Sequence, residues 1–536
     1  MTLGLITSAA YINQEMSAEF GMLPPAFLPV GNTRLFRYQA ELLKRLTDRV
    51  VLTLPESYCV AAADKKLLAA DGVETIYVPD GLSLGELVML GITLAAAGDE
   101  PTIVLHGDTL FLHLDAFPQD RISVHSKEHP YPWATIGGAD GLVSAPSPSG
   151  PQKPTGAVVS GAFSFSQTHT LLKCLSHRKH DFLAALNAYA RLVPGFKPLP
   201  ECGEWLDFGH LNTYYDSRRL LTTEREFNTL SIRDNVVTKT SKQRLKMEAE
   251  AYWFEHLPVE LRPFVPTYLG REIDGQGSTQ GYSLSYEYLC PLSDLYVFGA
   301  LPAQSWRHIF EACAQFLALS KRHVPSIPQP AGLDELYVGK TIRRFSEFAR
   351  SADIDSRHEW RLNGKPVPSP RAIIDEMVAL IGPPEVGHCG VMHGDFCLSN
   401  ILFDFRRKAV KLIDPRGSVI DGVPSIYGDT RYDVAKLHHS VAGRFDFIVA
   451  NYYSLSRDGD YAVSFEVSNG PTYAEFESLF FETICASDEK AHLTSAAISI
   501  LLFLSMLPLH NDNPCRQWAF LANAFRLYGK YFSAGH

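Results

Sequence analysis

VMHGDFCLSNILFDFRRKAVKLIDPRG, residues 391–417, is the stretch on which the reading of this chain turns. Asp395 and Asn400 lie five residues apart with His393 just ahead of them, and fourteen residues past Asn400 a second acid, Asp414, closes the apolar run 410–413. Phosphoryl transfer uses this layout: an aspartate takes or orients the proton of an attacking hydroxyl, while an asparagine and a second aspartate hold magnesium on nucleotide phosphates. On this reading Asp395 and His393 form the catalytic group, His393 chiefly by supporting the loop through hydrogen bonds. Asn400 and Asp414 are the metal ligands. Arg416 follows at once and faces either a phosphate or a surface salt-bridge partner.

The rest of the chain bounds the problem. At 536 residues it exceeds one ordinary core, and 46% apolar with 20% charged residues is the composition of a folded protein, which excludes disorder. A formal net charge of −10 argues against a general nucleic-acid or anionic-membrane surface. The nine cysteines are scattered without a CxxC pair, so neither a zinc site nor a disulfide framework is indicated, and they read as reduced core residues. The start, MTLGLITSAAYINQEM, lacks the basic opening of a signal peptide. The apolar stretch 493–509 is broken by Pro508 and reads as a buried helix rather than a membrane span. A cytoplasmic protein without nucleic-acid or membrane partners is expected, of unknown oligomeric state.

Residues 1–225 alternate strand-like and helix-like segments: LGLIT, a helix near 34–47, VVLTL at 50–54, a helix near 60–70, TIYVP at 75–79, a helix from Ser83, and TIVLHGD at 102–108. Such alternation predicts an α/β fold with a doubly wound, mostly parallel sheet, whose ligands gather at the carboxyl ends of the strands. Asp108 stands at one such end. LPPAFLPVGNTRL (23–35), PDGLSLGEL (79–87), IVLHGDTLF (103–111) and GEWLDFGHLNTYYDS (203–217) together resemble the sugar-phosphate nucleotidyltransferase family. The resemblance implies a Rossmann-like domain in which Asp108 and Asp207 hold magnesium and the loop with Gly81 and Ser83 meets the base. It also implies attack of a phosphomonoester on the α-phosphate of a nucleoside triphosphate. The family's opening GxGTR loop is missing, and Pro25 stands where its lysine belongs. Arg34, Arg37 or Lys153 would have to supply the lost positive charge.

Residues 226–536 open with two alternating β-runs around the turn RDN, then the helix SKQRLKMEAEAYWFEHLP, with Leu245, Ala249, Tyr252 and Trp253 at helical spacing. With HGDFCLSN and IDPRG downstream, this part resembles the aminoglycoside phosphotransferase and choline kinase family. The resemblance implies a two-lobed, protein-kinase-like α+β domain, with an N-lobe of about 226–300 and a C-lobe of about 301–536. In it Lys239 meets the ATP phosphates, Glu250, preferred to Glu248, holds that lysine, and the backbone of Glu287 and Leu289 meets adenine. Asp433 in GDTRYDVAKLHHS (428–440) braces the catalytic loop. No GxGxxG loop is visible. Lys340, Arg343 and Arg344 lie at helical spacing and face either an anionic substrate or water.

Together the two resemblances imply a bifunctional enzyme. ATP phosphorylates a sugar, polyol or amino alcohol, and a second triphosphate, CTP favoured, then activates the phosphomonoester with release of pyrophosphate, making a nucleotide-linked precursor of surface polysaccharide. The alternatives are a kinase whose front half is a non-catalytic, regulatory relative, and a front half that transfers sugar from a nucleotide sugar.

Overall fold

Leu3–Thr7 and Arg49–Pro55 bury almost every side chain, as strands covered on both faces must. Leu3–Thr7 pairs in parallel with Arg49–Pro55 on one side and with Thr102–His106 on the other, and Val73–Val78 extends the sheet beyond Arg49–Pro55. The helices Leu35–Leu46, Ala62–Ala70 and Leu84–Leu94 lie between these strands in the chain. All four strands therefore end along one edge of the sheet. Ala157–Phe165 joins Thr102–His106 antiparallel, Arg121–His125 joins Ala157–Phe165, and the sheet reaches nine strands. A core of Leu3, Leu5, Val51, Val88, Val104 and Phe163 ties helices to strands.

The structure, a computed structural model, describes all residues except 127–130, 132, 138–141, 146–156, 222–223, 226–227, 276, 326–334, 384, 421, 468–470 and 534–536. The chain divides into two compact units, Met1–Thr222 with Phe298–Ala300, and Thr223–Val297 with Leu301–His536. The fold is mixed α/β, and the first unit is built on the Rossmann-like parallel sheet just described.

The second unit begins with a five-stranded antiparallel sheet, in spatial order Glu224–Arg225, Asn228–Arg233, Val236–Thr240, Thr279–Ser285 and Tyr268–Ile273. Asp234 and Asn235 join two of these strands with φ of 49° and 63°, the left-handed pair that a two-residue hairpin turn demands. Helix Arg244–His256 packs against Thr279–Ser285. It buries Met247, Glu250, Trp253 and Phe254, whereas Leu245 is 54% exposed. The helical face is thus rotated from the spacing expected, because the buried acid Glu250 is one of its inward positions.

Beyond Leu301 the unit is mainly helical. The helical stretch Glu489–His510, whose main part is helix Glu489–Met506, is long and apolar enough to cross a membrane, yet 72% of its apolar window is buried inside the protein. Thr430–Val441, Lys340–Ser351, Pro370–Ile381 and Pro514–Tyr531 surround it. A four-stranded sheet made of Lys365–Val367, Trp360–Leu362, Ala462–Val467 and Tyr453–Arg457 interrupts the helical region. All nine cysteines are free, but Cys59 and Cys515 are exposed rather than in the core.

Candidate functional site

The hairpin Ile401–Asp404/Ala409–Leu412 positions the candidate residues of the second unit. Its register pairs Ile401 with Leu412, and Ile413 N–H donates to the Asn400 carbonyl at 3.0 Å, so Asn400 and Asp414 emerge side by side. Asp414 has φ of 57°, a left-handed conformation that aspartate tolerates better than most residues and that is found where function constrains the backbone. Gly394 has φ of 77°, and a Cβ there would stand 2.8 Å from Arg416 Cβ; only glycine fits this turn. The N–H groups of His393 and Gly394 donate to the buried Asp433 carboxylate at 2.8 and 2.7 Å, which fixes the loop from behind.

Asp395 is held from two sides. Lys436 Nζ is 2.6 Å from its Oδ1, and Asn400 Nδ2 donates to its Oδ2 at 3.1 Å. Burial pushes the Asp395 carboxyl up, but the Lys436 ammonium outweighs it and leaves the group below the usual carboxylate range. His393 is fully buried, and burial pushes its imidazole down to about 4, so it is a neutral support: its Nδ1 accepts the Asp395 N–H at 3.3 Å.

Lys239 comes from the adjoining sheet. It lies opposite Tyr282, bonds Glu250 Oε2 at 2.6 Å and pairs directly with Asp414. The Tyr282 hydroxyl donates to the same Glu250 oxygen at 2.9 Å. Trp253 Nε1, on the helix that carries Glu250, donates to the Met392 carbonyl at 2.8 Å and so ties that helix to the loop that carries Asp395. Glu248 is exposed and makes no such contact. Asp395, Asp414 and Glu250 open into one cavity of about 980 Å³.

In the first unit, strand Glu204–Asp207 pairs antiparallel with Thr109–Leu112 and sets Asp207 opposite Thr109. Phe208 N–H donates to the Asp108 carbonyl at 2.8 Å. The two carboxylates flank Gly209: a Cβ there would meet Asp108 Oδ2 at 2.7 Å and Asp207 Oδ1 at 3.3 Å. Burial and the neighbouring Asp207 charge push the Asp108 carboxyl up to about 6. Thr213 Oγ1 donates to Asp207 at 2.5 Å. The turn preceding the strand is held by Gln39, whose Nε2 reaches the carbonyls of His106, Gly107 and Thr109 at 3.1, 3.1 and 2.8 Å. Two close carboxylates, one reluctant to ionise, fit a divalent cation. Among the described residues no group of three or more acidic, histidine or cysteine side chains surrounds one position, so phosphate or water oxygens would complete the shell.

Other expected groups fall elsewhere. Arg34 is committed to the buried Asp64 at 2.9 Å and to the Phe27 carbonyl at 2.8 Å, and Arg37 to Asp71 at 2.7 Å, so both are engaged in ion pairs. Lys153 lies outside the described residues. Gly81, with φ of 82°, and Ser83 lie after strand Val73–Val78, on the edge where the strands end. Ser83 caps helix Leu84–Leu94 in a reciprocal capping box with Glu86. Leu289 N–H donates to the Glu287 carbonyl at 2.8 Å, so that amide is used within the chain rather than presented to a base. Lys340, Arg344 and Arg416 line the cavity. Arg416 donates to the Tyr432 hydroxyl at 3.0 Å and has no carboxylate partner among the described residues.

Lys436, Tyr282, Thr213 and Gln39 had not been anticipated. Lys436 alone left a trace in the sequence, three residues after Asp433 and hence on the same helical face.

No protein-family model matches the chain, and no curated protein matches it. Solved structures similar to it over the N-terminal part include a nucleoside-diphosphate-sugar pyrophosphorylase from Vibrio cholerae RC9, 16% identical, covering 40% of this chain and 99% of its own, with a TM-score of 0.32. A UDP-glucose pyrophosphorylase complexed with UDP-glucose is 15% identical over 41% of this chain and 98% of its own, with a TM-score of 0.32. HddC from Yersinia pseudotuberculosis is 16% identical over 41% and 98%, with a TM-score of 0.30. At such identity a shared chain path says nothing of chemistry, which rests on the side chains above.

Proposed function

We propose that the second unit is a kinase-like phosphotransferase that moves the γ-phosphoryl group of ATP to the hydroxyl of a small molecule. The observation that carries this reading is the convergence of Lys239–Glu250, Asp414 and the Asp395–Asn400–Lys436 cluster on one cavity. The acceptor oxygen bonds to the γ-phosphorus, the bond from that phosphorus to the β–γ bridging oxygen breaks, and ADP leaves. Asp395, kept ionised by Lys436, accepts the hydrogen bond of the hydroxyl and aims its oxygen. Such a weak base takes the proton late, which suits a loose transition state in which the nucleophile is hardly deprotonated at the start. Lys239 meets the ATP phosphates, with Glu250 and Tyr282 fixing its ammonium. Asn400 and Asp414 here, and Asp108 and Asp207 in the first unit, would hold magnesium, whose charge when bound neutralises phosphate oxygens.

For the first unit we propose nucleotidyl transfer to the phosphomonoester, with pyrophosphate released, supported by the Asp108–Asp207 pair at the sheet edge. The product would be a nucleotide-activated precursor of surface polysaccharide, made in the cytoplasm. A second reading, a non-catalytic first unit beside a working kinase, is favoured by the commitment of Arg34 to Asp64 and of Arg37 to Asp71. A mass-spectrometric screen of hydroxyl metabolites with ATP and CTP, UTP or GTP tests both. A gain of phosphate that needs Asp395 supports the kinase, and a further gain of nucleotide that needs Asp207 supports transfer. Phosphate gain without nucleotide gain selects the second reading, and no phosphate gain from any acceptor overturns the first.

A further inference from the structure

The cavity beside Asp395 holds more positive charge than its own carboxylates use. Glu250 and Asp414 both engage Lys239, and Asp395 engages Lys436. Lys340, Arg344 and Arg416 share the same wall, and none of them has a carboxylate partner among the described residues. They come from two separate elements. Lys340 and Arg344 are one turn apart on helix Lys340–Ser351, and Arg416 lies two residues after Asp414. Among the described residues the Arg344 side chain hydrogen-bonds only the distant Ser505 carbonyl, at 3.4 Å, and that of Arg416 only the Tyr432 hydroxyl. Burial, then the charges of Arg416, Lys436 and Arg344, push the Lys340 ammonium down to about 6. Holding such cations together without counter-charge is costly, and a bound anion relieves it.

Resting on the phosphotransfer reading, we propose that the acceptor is an anionic hydroxyl compound, a phosphomonoester or a hydroxy acid, whose anionic group sits among Lys340, Arg344 and Arg416 while its hydroxyl meets Asp395. The ATP phosphates have their own lysine, Lys239, on the Glu250 side of the cavity. A cationic amino alcohol is repelled by the Arg344 and Arg416 guanidinium groups.

Two measurements on the full chain test this. The first is ADP release from magnesium-ATP with acceptors of three charge classes: glycerol 3-phosphate, sugar phosphates and glycerate; glycerol and sugars; choline and ethanolamine. Turnover confined to the anionic class is expected, and the phosphomonoester and carboxylate arms separate the two anion types. Lys340→Met and Arg344→Gln should each raise the acceptor KM tenfold or more while the ATP KM stays within twofold. Turnover of a neutral or cationic acceptor, or a rise confined to the ATP KM, overturns the proposal and leaves the kinase standing. The second is calorimetric binding of inorganic phosphate, expected for the parent and weakened at least tenfold in Lys340→Met/Arg344→Gln at unchanged Tm. Phosphate binding that follows these residues without any ADP release supports the anion site while sinking the kinase. Absence of both sinks both.

Discussion

Asp395 keeps two partners, the Lys436 ammonium and the Asn400 amide, and each stabilises its ionised form. Asp395→Asn removes the acceptor of the hydroxyl proton, and kcat for ADP release should fall about 10²–10⁴-fold, the usual worth of a positioned general base, with the ATP KM little changed. Steady-state kinetics in both substrates read this directly. Asp446 is a different case. It is buried with Oδ2 lacking a hydrogen-bond partner, and burial pushes it up to about 7 from an ordinary value of 3.8. The unfolded chain ionises it first, so its contribution to stability is intact near pH 4 and is lost as pH rises through about 7. Asp446→Asn should therefore raise Tm at pH 8, with the gain shrinking toward pH 4. Melting curves across that range check the sign, and a gain that grew toward acid pH would refute it.

At the level of elements, short turns and one helix do the positioning. Helix Arg244–His256 presents Glu250 to Lys239, and Glu250→Ala leaves that lysine held by Asp414 alone. The ATP KM should rise about tenfold, a loss of roughly 1.4 kcal/mol, while the acceptor KM changes less. In the second unit the hairpin Trp360–Leu362/Lys365–Val367 turns on Asn363 and Gly364, with φ of 50° and 78°. Gly364→Ala has open space around it, so its cost is conformational alone, about 1 kcal/mol in a denaturant titration. This Asn-Gly pair is a strong hairpin signal. It is easily passed over inside a helical region, because three-residue strands leave little room for alternation to show.

For the whole chain, two compact units each carry a pair of acids, one where the parallel strand Thr102–His106 runs into the antiparallel pair Thr109–Leu112/Glu204–Asp207 and one on a hairpin beside an antiparallel sheet. If both act, they act independently. Asp395→Asn should cut ADP release about 10²–10⁴-fold and leave pyrophosphate release from an added phosphomonoester within twofold, and Asp207→Asn should do the reverse. Measuring both products on each variant decides it, and loss of both activities from either substitution would contradict separate sites.

Local pattern was enough for the parallel strands and the Asp234–Asn235 turn, and it singled out Asp108, Asp207, Asp395 and Asp414 as candidates. Strand period, turn residues and motif spacing are written in neighbouring positions. Which charges meet was not. Arg34 and Arg37 look available in sequence and are taken by Asp64 and Asp71, thirty and thirty-four residues away. Lys436 and Asp395, forty-one residues apart, become partners only when helix Thr430–Val441 packs behind the loop. Lys340 and Arg344 read in sequence more readily as solvent-facing, and the fold sets them in the cavity wall. A charge reveals its position but not its partner, because Coulomb energy depends on separation and burial, and only folding assigns those.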